Sequence, residues 1–460
     1  MTIEEHYQKT LDYLYSFVDF SLTRSDRYTA DQFDISRMYE LVSRLDNPQA
    51  KYPVIHIAGT KGKGSVAAMC HSALVEGGYR TGLYTSPHLH DYAERIQVNG
   101  VAIPHSDMIE LVEELKPVIQ AIPQITTFEI TTALAFVYFA RQNLDAAVFE
   151  VGLGGRLDAT NVVAPRVSVI TALSYDHTHL LGDTLAQIAG EKAGIIKPGT
   201  PVVMSPQELE AEEVIMRIAA ERKAPLIRVG EDLRYQRIAN TLEGQSLIIW
   251  NAAEQTLMDD YVRKSSNSQW APLQLDIPLL GGHQIQNAAT AFGALQVFKR
   301  SLSIQDADLQ RGFSRTHWPA RFELLQRDPP IVIDCAHNRD SAEKLKLSLD
   351  EYFPGLPVVC VFGASEDKDI TGMFSELMPR LNQLIVTKSF HPRAIDPENL
   401  VAIAAQYRHQ AVIVADIPEA LEEAIRIANS DKLVLVTGSI FVAAAAREAW
   451  LARTDISASP

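Results

Sequence analysis

Cysteine is scarce in this chain, which carries three cysteines among its 460 residues. Cys70, Cys335 and Cys360 stand in apolar surroundings, and no two of them have the spacing of a metal-binding pair. We therefore expect neither a disulfide framework nor a zinc site made of thiolates. The three residues are predicted to be small buried side chains in a reducing compartment.

Long hydrophobic runs are missing as well. The most apolar stretch, residues 433–446, contains Thr437, Gly438 and Ser439 and is shorter than the roughly 20 residues that a membrane-spanning helix needs. The amino-terminal residues include early acids and no long apolar run, which does not fit a signal peptide. We expect a cytoplasmic protein without a membrane partner.

Positive charge is in deficit, because 42 lysines and arginines stand against 57 acidic residues and give a net charge of −15. This balance excludes a uniformly basic surface of the kind that binds nucleic acid. Local lysines can still bind an anionic ligand, since screening limits the reach of distant acids. The length suits two domains, and the content of 47% hydrophobic and 22% charged residues is typical of globular proteins.

Short β-branched runs alternate with amphipathic stretches, which predicts an α/β fold with largely parallel sheets. The first series has predicted strands at residues 53–58, 82–85, 146–151 and 167–172. A second series follows residue 320, at residues 331–335, 358–362, 384–387, 411–415 and 433–437. We place the domain boundary between residues 1–316 and a smaller second domain, residues 317–460. Residues 230–275, with the polar stretch 264–268, are predicted to form a small antiparallel excursion.

A glycine-rich segment follows the first predicted strand and opens a helix predicted from about Ser65. Its residues are Gly59, Thr60, Lys61, Gly62, Lys63, Gly64 and Ser65. Glycines allow backbone N–H groups to approach phosphate oxygens, and the start of a helix adds a favourable dipole. Lys63 can reach the terminal phosphates as a point charge. The segment is predicted to bind ATP, although Gly64 stands where a strict Walker A motif has serine or threonine.

Ser86, Glu150 and His177 are each predicted to follow a strand, at the edge where open α/β sheets bind ligands. A hydroxyl, a carboxylate and an imidazole together can hold a magnesium ion that bridges nucleotide phosphates. On the residues alone, a buried structural role stays open for Glu150 and His177. Lys192 lies on a helix predicted from about Asp183, with apolar neighbours and no carboxylate at helical pairing distance. A solvated surface lysine remains the alternative for Lys192.

Further distinctive segments recur along the chain. They are YTSPHLHDYAERIQVNG (84–100), FEVGLGGRLDATN (149–161), DHTHLLGDTLAQIAGEKAGIIKPG (176–199), GGHQIQNAATA (281–291), WPARFE (318–323), DCAHN (334–338), FGASEDKD (362–369) and SFHPRA (389–394). Together with GTKGKGS they resemble the folylpolyglutamate synthase and dihydrofolate synthase family of the Mur ligase superfamily, whose loop reads GTNGKGS. Lys61 thus replaces the usual asparagine. The resemblance implies an amino-terminal P-loop-type ATPase domain with a mostly parallel sheet, followed by a Rossmann-like α/β domain.

The resemblance also implies the metal chemistry of the site. It assigns Ser86, Glu150 and His177 to Mg²⁺, and it implies that Lys192 is carbamylated and becomes a carboxylate-like ligand of a second metal ion. Carbamylation needs a neutral amine, so we expect burial near other cations to lower the pKa of Lys192.

Nucleotide and substrate residues follow from the same resemblance. Asn287 matches the adenine side, Arg321 an arginine directed at the γ-phosphate, and Asp334 with His337 a nucleotide-contacting pair. Near the carboxylate being activated the implied residues are Arg156 and Asp158, and near the incoming glutamate they are Ser389, His391 and Arg393. The implied catalytic residues are Lys63, Lys192, Arg321 and His337.

These residues and the resemblance imply an ATP-dependent ligase that forms an acyl phosphate and transfers the acyl group to L-glutamate. Expected acceptors are reduced folates and dihydropteroate, so a monofunctional and a bifunctional enzyme both remain open. A Mur-type ligase of cell-wall synthesis is the alternative, but about 50 residues before the loop are too few for its nucleotide-sugar domain. A nucleotide switch or transport ATPase would need the strict Walker A motif. We expect a monomer that binds no nucleic acid.

Overall fold

The computed structural model describes residues 2–18, 34–264 and 270–458. Within these ranges the chain forms three sheets flanked by helices. Residues 265–268 of the predicted polar stretch lie outside the described residues. No helix in the described ranges is long and apolar enough to cross a membrane.

The largest sheet has a parallel centre of buried, apolar strands. In the described part of the chain its strands are β1 (Val54–Ala58), β2 (Thr81–Tyr84), β3 (Ile96–Val98), β4 (Val101–Ala102), β5 (Ala146–Glu150), β6 (Val167–Ile170), β7 (Val202–Met204) and β8 (Leu226–Arg228). They lie in the order β4-β3-β2-β5-β1-β6-β7-β8, with β3 and β4 antiparallel to their neighbours. Because β1 and β5 are parallel and buried throughout, their carboxyl ends open onto one protected edge.

Helices cover this sheet on both faces. In chain order they are α1 (Ile3–Tyr15), α2 (Ile35–Arg44), α3 (Lys63–Glu76), α4 (His105–Gln120), α5 (Thr127–Arg141), α6 (Thr178–Leu181), α7 (Leu185–Lys192), α8 (Leu209–Glu221), α9 (Gln255–Lys264), α10 (Gly282–Phe298) and α11 (Asp306–Ser314). Helices α1, α2, α4 and α5 bury their apolar sides in one core. Helices α3, α10 and α11 form a second core against the other side of the central strands.

A small antiparallel sheet joins the second of these cores. Its strands are β9 (Leu233–Thr241), β10 (Gly244–Asn251) and β11 (Leu273–Ile277), in the order β11-β10-β9. Leu247, Ile249 and Leu275 bury apolar side chains in the core shared with α3 and α10. The antiparallel excursion predicted for residues 230–275 is confirmed.

The third sheet belongs to the second α/β series. Its described strands are β12 (Glu323–Arg327), β13 (Pro330–Ile333), β14 (Val358–Phe362), β15 (Leu381–Val386), β16 (Ala411–Ile413) and β17 (Leu433–Thr437), in the order β12-β13-β17-β14-β15-β16. Its helices are α12 (Arg339–Tyr352), α13 (Ile370–Leu377), α14 (Pro397–Gln406), α15 (Ile417–Ala428) and α16 (Ile440–Ala458). The strands are parallel except β12, which pairs antiparallel with β13, and one hydrophobic core lies on each face.

The predicted α/β class is confirmed, and the predicted strands agree with the structure to within a few residues. The sequence prediction does not contain β12, because residues 323–327 are only half-buried and carry charges at both ends. Helix α3 begins at Lys63 rather than near Ser65, and α7 begins at Leu185, after its capping residue Thr184, rather than near Asp183. The domain boundary between residues 316 and 317 stays a prediction.

Candidate active site

The glycine-rich loop, residues 59–65, connects β1 to the first turn of α3. Gly62 caps the helix with a φ of 84°, and a Cβ at this position would lie 2.2 Å from Oδ1 of Asn287. A Cβ on Gly59 would lie 1.8 Å from Oγ1 of Thr171. Neither position has room for a side chain, so glycine is required at both, and no side chain of these residues covers the backbone N–H groups, as a phosphate-binding loop requires. Asn287, predicted on the adenine side, is thus brought against the loop.

Gly64, where the sequence departs from the strict Walker A motif, faces Trp318. A Cβ on Gly64 would lie 2.6 Å from Cζ2 of the indole. Serine or threonine would therefore displace Trp318 from the start of α3. The departure from the motif has a packing reason, and it shows that the WPARFE segment contacts the phosphate loop.

Lys63 and Glu150 meet at the edge of the large sheet. Nζ of Lys63, the first residue of α3, lies 3.9 Å from Oε1 of Glu150, the last residue of β5. The backbone amide of Ser86 lies 3.4 Å from Oε2 of the same carboxylate. Burial raises the pKa of Glu150, and the Lys63 ammonium opposes that rise. The structure therefore brings together Lys63 of the predicted phosphate loop and two residues that the sequence placed at the ends of separate strands.

His177 does not directly follow a strand, contrary to the prediction. Strand β6 ends at Ile170, and His177 instead caps the short helix α6 in a left-handed conformation with φ 50°. Burial lowers the pKa of His177 to about 4 despite the neighbouring Asp176 carboxylate. The imidazole is therefore neutral near pH 7, which is the form that ligates metals.

The implied Mg²⁺ fits the chemistry of Glu150, Ser86 and neutral His177. Mg²⁺ takes one or two carboxylates from a protein and completes its octahedron with water and phosphate oxygens. The described residues contain no group of three or more His, Cys, Asp or Glu side chains that could hold a metal by themselves.

Lys192, at the end of α7, is buried beside the phosphate loop. Only 5% of the residue is exposed, and its Nζ donates to the carbonyl oxygen of Gly59 at 2.9 Å. The solvated alternative is therefore wrong. Burial lowers the pKa of Lys192 to about 7, and the nearby Lys63 adds to the effect. A large fraction of the amine is consequently neutral near pH 7, as carbamylation requires.

Residues of the second sheet face the same edge. The Arg321 guanidinium acts to lower the pKa of both Glu150, on the large sheet, and Asp334, on the second sheet, so it lies close to both sheets. The Asp334 carboxylate accepts the backbone N–H groups of Phe322 and Ala336, both at 2.8 Å. Asp334 therefore fixes the conformation of the loop after β13 and attracts the Arg321 guanidinium electrostatically.

His337 is half-buried and has a defined tautomer. Its Nδ1 lies 2.9 Å from the carbonyl oxygen of Cys335, which can only accept, so Nδ1 carries the proton. Burial lowers the pKa of His337 to about 3, and Lys61 and Lys368 contribute to the lowering. The neutral ring therefore presents Nε2 as a hydrogen-bond acceptor.

The two residues predicted at the activated carboxylate have different surroundings. Arg156 is half-exposed and forms an ion pair with Glu191 at 3.0 Å. Asp158 is buried and accepts the backbone N–H groups of Leu153 and Thr160, both at 2.9 Å. Asp158 thus supports the glycine-rich segment, and a substrate contact of either side chain stays a prediction.

The segment predicted at the incoming glutamate lies between β15 and α14. Arg393 places NH1 3.2 Å from Oδ2 of Asp367, in the loop after β14. His391 stacks on Phe441 with ring centroids 4.1 Å apart. Ser389, two residues before His391, is half-buried. The structure places Arg393 beside Asp367 in the loop after β14, while a contact of Arg393 with glutamate stays a prediction.

Asp176 is a residue of the site to which the sequence analysis gave no role. Its Oδ2 lies 3.7 Å from Nζ of Lys61 and 3.4 Å from Nδ2 of Asn338, and its Oδ1 lies 4.0 Å from Nζ of Lys368. Burial alone would raise the pKa of Asp176, but Lys61, His177 and Lys368 outweigh burial and hold the pKa below its usual range. Its position directly before His177 in the matched segment was the available signal.

The loop after β2, which includes Ser86, is held by the amino-terminal helix. The Tyr7 hydroxyl donates to Oδ1 of Asp91 at 2.6 Å, and Nε2 of His105 lies 2.6 Å from Oδ2 of the same residue. The rings of Tyr7 and His105 stack with centroids 3.6 Å apart. Helix α1 therefore fixes a loop at the edge of the site although it contains none of the matched segments.

Two family models match the chain and define its class. The Mur ligase middle domain matches residues 57–295, and the Mur ligase glutamate ligase domain matches residues 320–440. These matches cover the phosphate loop, the edge of the large sheet and most of the second α/β series. The chain has the fold of a Mur ligase and matches both of these Mur ligase domains.

Relatives over nearly the whole length refine this class. The chain is 35% identical to the dihydrofolate synthase/folylpolyglutamate synthase of Bacillus subtilis, over 88% of this chain and 92% of the relative. It is similar to the crystal structure of Mycobacterium tuberculosis folylpolyglutamate synthase complexed with ADP and AMPPCP, with a TM-score of 0.84, 30% identity and coverage of 98% and 99% of the two chains. For E. coli FolC in complex with DHPP and ADP, the TM-score is 0.82, the identity 29% and the coverage 97% and 98%. The chain belongs to the dihydrofolate synthase/folylpolyglutamate synthase family.

Proposed function

We propose that this chain is an ATP-dependent ligase that activates a carboxylate as an acyl phosphate and joins it to the amino group of L-glutamate. The observation that carries this proposal is the convergence of Lys63, Lys192 and Glu150 beside a loop with no room for side chains at Gly59 and Gly62. Cations next to open backbone at a helix start suit a polyphosphate, and a carboxylate among them suits its metal ion.

The acceptor is proposed to be a reduced folate, extended at its γ-carboxylate, with dihydropteroate as a second acceptor. The name of the B. subtilis relative contains both activities, and the E. coli structure contains DHPP with ADP. Both support a bifunctional enzyme. The Mur-type alternative of cell-wall synthesis has weaker support, since the full-length relatives compared above are folate enzymes.

In the proposed reaction, a carboxylate oxygen attacks the γ-phosphorus and the bond to the bridging oxygen of ADP breaks. Lys63 neutralises negative charge that builds on the phosphoryl oxygens, and Arg321 approaches the same group from the second sheet. The neutral amine of glutamate then attacks the acyl carbon and loses one proton, and the tetrahedral intermediate expels phosphate as the bond between carbon and the phosphate oxygen breaks. Burial of this edge between two sheets excludes water that would hydrolyse the acyl phosphate.

The nucleotide is proposed to lie between Asn287 and the loop after β13. Because His337 presents Nε2 as an acceptor, it suits a ribose hydroxyl or the adenine amino group better than a phosphate. The Asp334 carboxylate supports this loop and the segment that contains Arg321, because it accepts the backbone N–H groups of Phe322 and Ala336.

Ser86, Glu150 and His177 are proposed to hold Mg²⁺, which when bound offsets the charge of the phosphates. Lys192 is proposed to be carbamylated: its neutral Nζ attacks CO₂, an N–C bond forms and one proton is lost. Its burial, its lowered pKa and its contact with the loop support this modification. The resulting anion would reduce the excess of positive charge beside Lys63.

The remaining assignments are proposals of the same kind. Arg156 and Asp158 are proposed near the carboxylate being activated, and Ser389, His391 and Arg393 near the incoming glutamate. We further propose two domains, residues 1–316 and 317–460, in a monomer.

The test is ATP-dependent incorporation of labelled L-glutamate, run in parallel with tetrahydrofolate, dihydropteroate and a UDP-linked cell-wall peptide. We expect incorporation with both pterin substrates, with one ADP and one phosphate released per glutamate. Incorporation with tetrahydrofolate alone would define a monofunctional enzyme. Incorporation only with the peptide, or none with any acceptor, would overturn the proposal.

A further inference from the structure

Two lysines from different sheets converge on one carboxylate beside the phosphate loop. Lys61 belongs to the loop after β1, and Lys368 belongs to the loop after β14 of the second sheet. Their Nζ atoms lie 3.7 and 4.0 Å from the two oxygens of Asp176, and all three side chains are at most 21% exposed. Asn338, from the second sheet as well, donates to Asp176 at 3.4 Å. Asp176 is thus the residue through which Lys368 and Asn338 of the second sheet are linked to Lys61 of the phosphate loop.

The ammonium of Lys61 is held by charge rather than by a hydrogen bond. Its Nζ is buried, and among the described residues it has no hydrogen-bond acceptor. Its distance from Asp176 exceeds that of a hydrogen bond, so all three N–H donors remain for another partner. The backbone around it is fixed, because the amides of Thr60 and Lys61 donate to the carbonyl oxygen of Ala172 at 3.1 and 3.0 Å.

We propose that Asp176 is a positioning residue for the ligase reaction, which holds Lys61 beside the bound polyphosphate and ties the second sheet to the phosphate loop through Lys368 and Asn338. This inference rests on the proposed function. Lys61 supplies a second loop cation to phosphate oxygens, in the position where the resembling family has asparagine. Phosphate draws Lys61 away from Asp176, and the carboxylate then binds Lys368 more strongly. Nucleotide binding and docking of the second sheet thereby support each other.

If Asp176 positions the two lysines, its substitution should change nucleotide affinity and turnover in different ways. Asp176→Asn keeps the shape of the side chain but removes a negative charge that competes with phosphate for Lys61. Binding of a non-hydrolysable ATP analogue, measured without Mg²⁺, is expected to stay equal or to tighten, by up to about tenfold. Turnover is expected to fall by at least about tenfold, because neither lysine is held in place. Lys61→Asn is expected to weaken binding of the same analogue.

A double-mutant cycle tests the link to the second sheet. If Lys368 acts through Asp176, then Asp176→Asn combined with Lys368→Met should lose no more turnover than the worse single variant. Lys299→Met is the matched control, since Lys299 forms a surface ion pair with Asp306 at 2.6 Å, away from the residues of the site. It should leave analogue binding and turnover unchanged.

Each outcome decides the inference. Weaker analogue binding in Asp176→Asn with a parallel loss of melting temperature would mean a structural role, and unchanged turnover would mean no role; either result overturns the inference. Turnover losses that multiply in the double variant would also overturn it. Failure of the proposed function is a separate result, because the wild-type protein would then bind no ATP analogue or incorporate no glutamate.

Discussion

The carboxyl edges of the two parallel sheets meet each other but use their polar groups differently. After β1, Lys61 and Lys63 contact carboxylates only at 3.7 and 3.9 Å, so most of their donors remain for a ligand. After β13, Asp334 uses both oxygens on backbone amides and His337 uses Nδ1 on a carbonyl. The lysines after β1 therefore have donors left to supply charge, whereas Asp334 and His337 after β13 supply a preformed shape. Substitutions of these lysines should accordingly cost more turnover than substitution of His337.

Lys63→Ala should have the largest effect. Loss of this cation removes a preorganised charge at the phosphoryl group, and we expect turnover to fall by at least about 10²-fold. Steady-state kinetics check this, with the melting temperature as a control for folding. Wild-type turnover and nucleotide affinity in this variant would show that the large sheet does not supply the charge.

Lys192→Ala should lose most activity, by about tenfold or more, because the proposed carbamate is lost. A short-chain carboxylic acid should restore part of it, whereas Lys192→Arg should not, since arginine keeps only the positive charge. The amine is protonated below its pKa of about 7 and then cannot attack CO₂. At constant dissolved CO₂, wild-type activity should therefore decline as the pH falls through 7. A native mass spectrum under bicarbonate without the added carbamate mass, together with an active alanine variant, would contradict this prediction.

Glu150→Gln and His177→Ala test the metal at the same edge. Each should raise the Mg²⁺ concentration needed for half-maximal activity by about tenfold, while the melting temperature changes little. Titration of activity with Mg²⁺ measures the shift. A loss of thermal stability without any shift in the Mg²⁺ requirement would assign both residues a structural role instead.

His337→Ala should have the smallest effect of these substitutions. It removes one neutral hydrogen-bond acceptor, worth about 1 kcal/mol, so the KM for ATP should rise by about five- to tenfold with a smaller change in kcat. Kinetics at saturating second substrate separate the two constants. A loss of turnover as large as that of Lys63→Ala would remove the distinction between the two edges.

The sequence was sufficient for features that depend on local patterns. Buried β-branched runs predicted the central strands, and glycines before a helix predicted the phosphate loop. Strand ends also indicated that Ser86 and Glu150 would meet, which they do at 3.4 Å through the Ser86 amide.

Features that depend on distant partners were not accessible from the sequence. From the sequence alone, Gly64 is only a departure from the serine or threonine of the Walker A motif. The structure shows that Trp318 packs against it and leaves no room for a side chain. Lys192 has no carboxylate three or four residues away along its helix, and only the fold shows it buried against Gly59. His177 reaches the site through a left-handed turn seven residues beyond β6, which strand patterns do not predict. Asp176 gains its importance from cations on two sheets.

The clamp between α1 and the loop after β2 bears on how this protein can be divided. Tyr7 and His105 hydrogen-bond to Asp91 from outside the sheet. The hydroxyl of Thr127 on α5 also donates to the carbonyl oxygen of Leu14 on α1 at 2.8 Å. The recognisable sequence motifs begin at the phosphate loop, yet the wall of the site is anchored to residues far upstream of it. A chimaera that joins a foreign leader to residue 50 would preserve every motif but would lose the contacts of α1 that hold the loop after β2. The segment needed to support the site is therefore longer than the segment that contains the motifs.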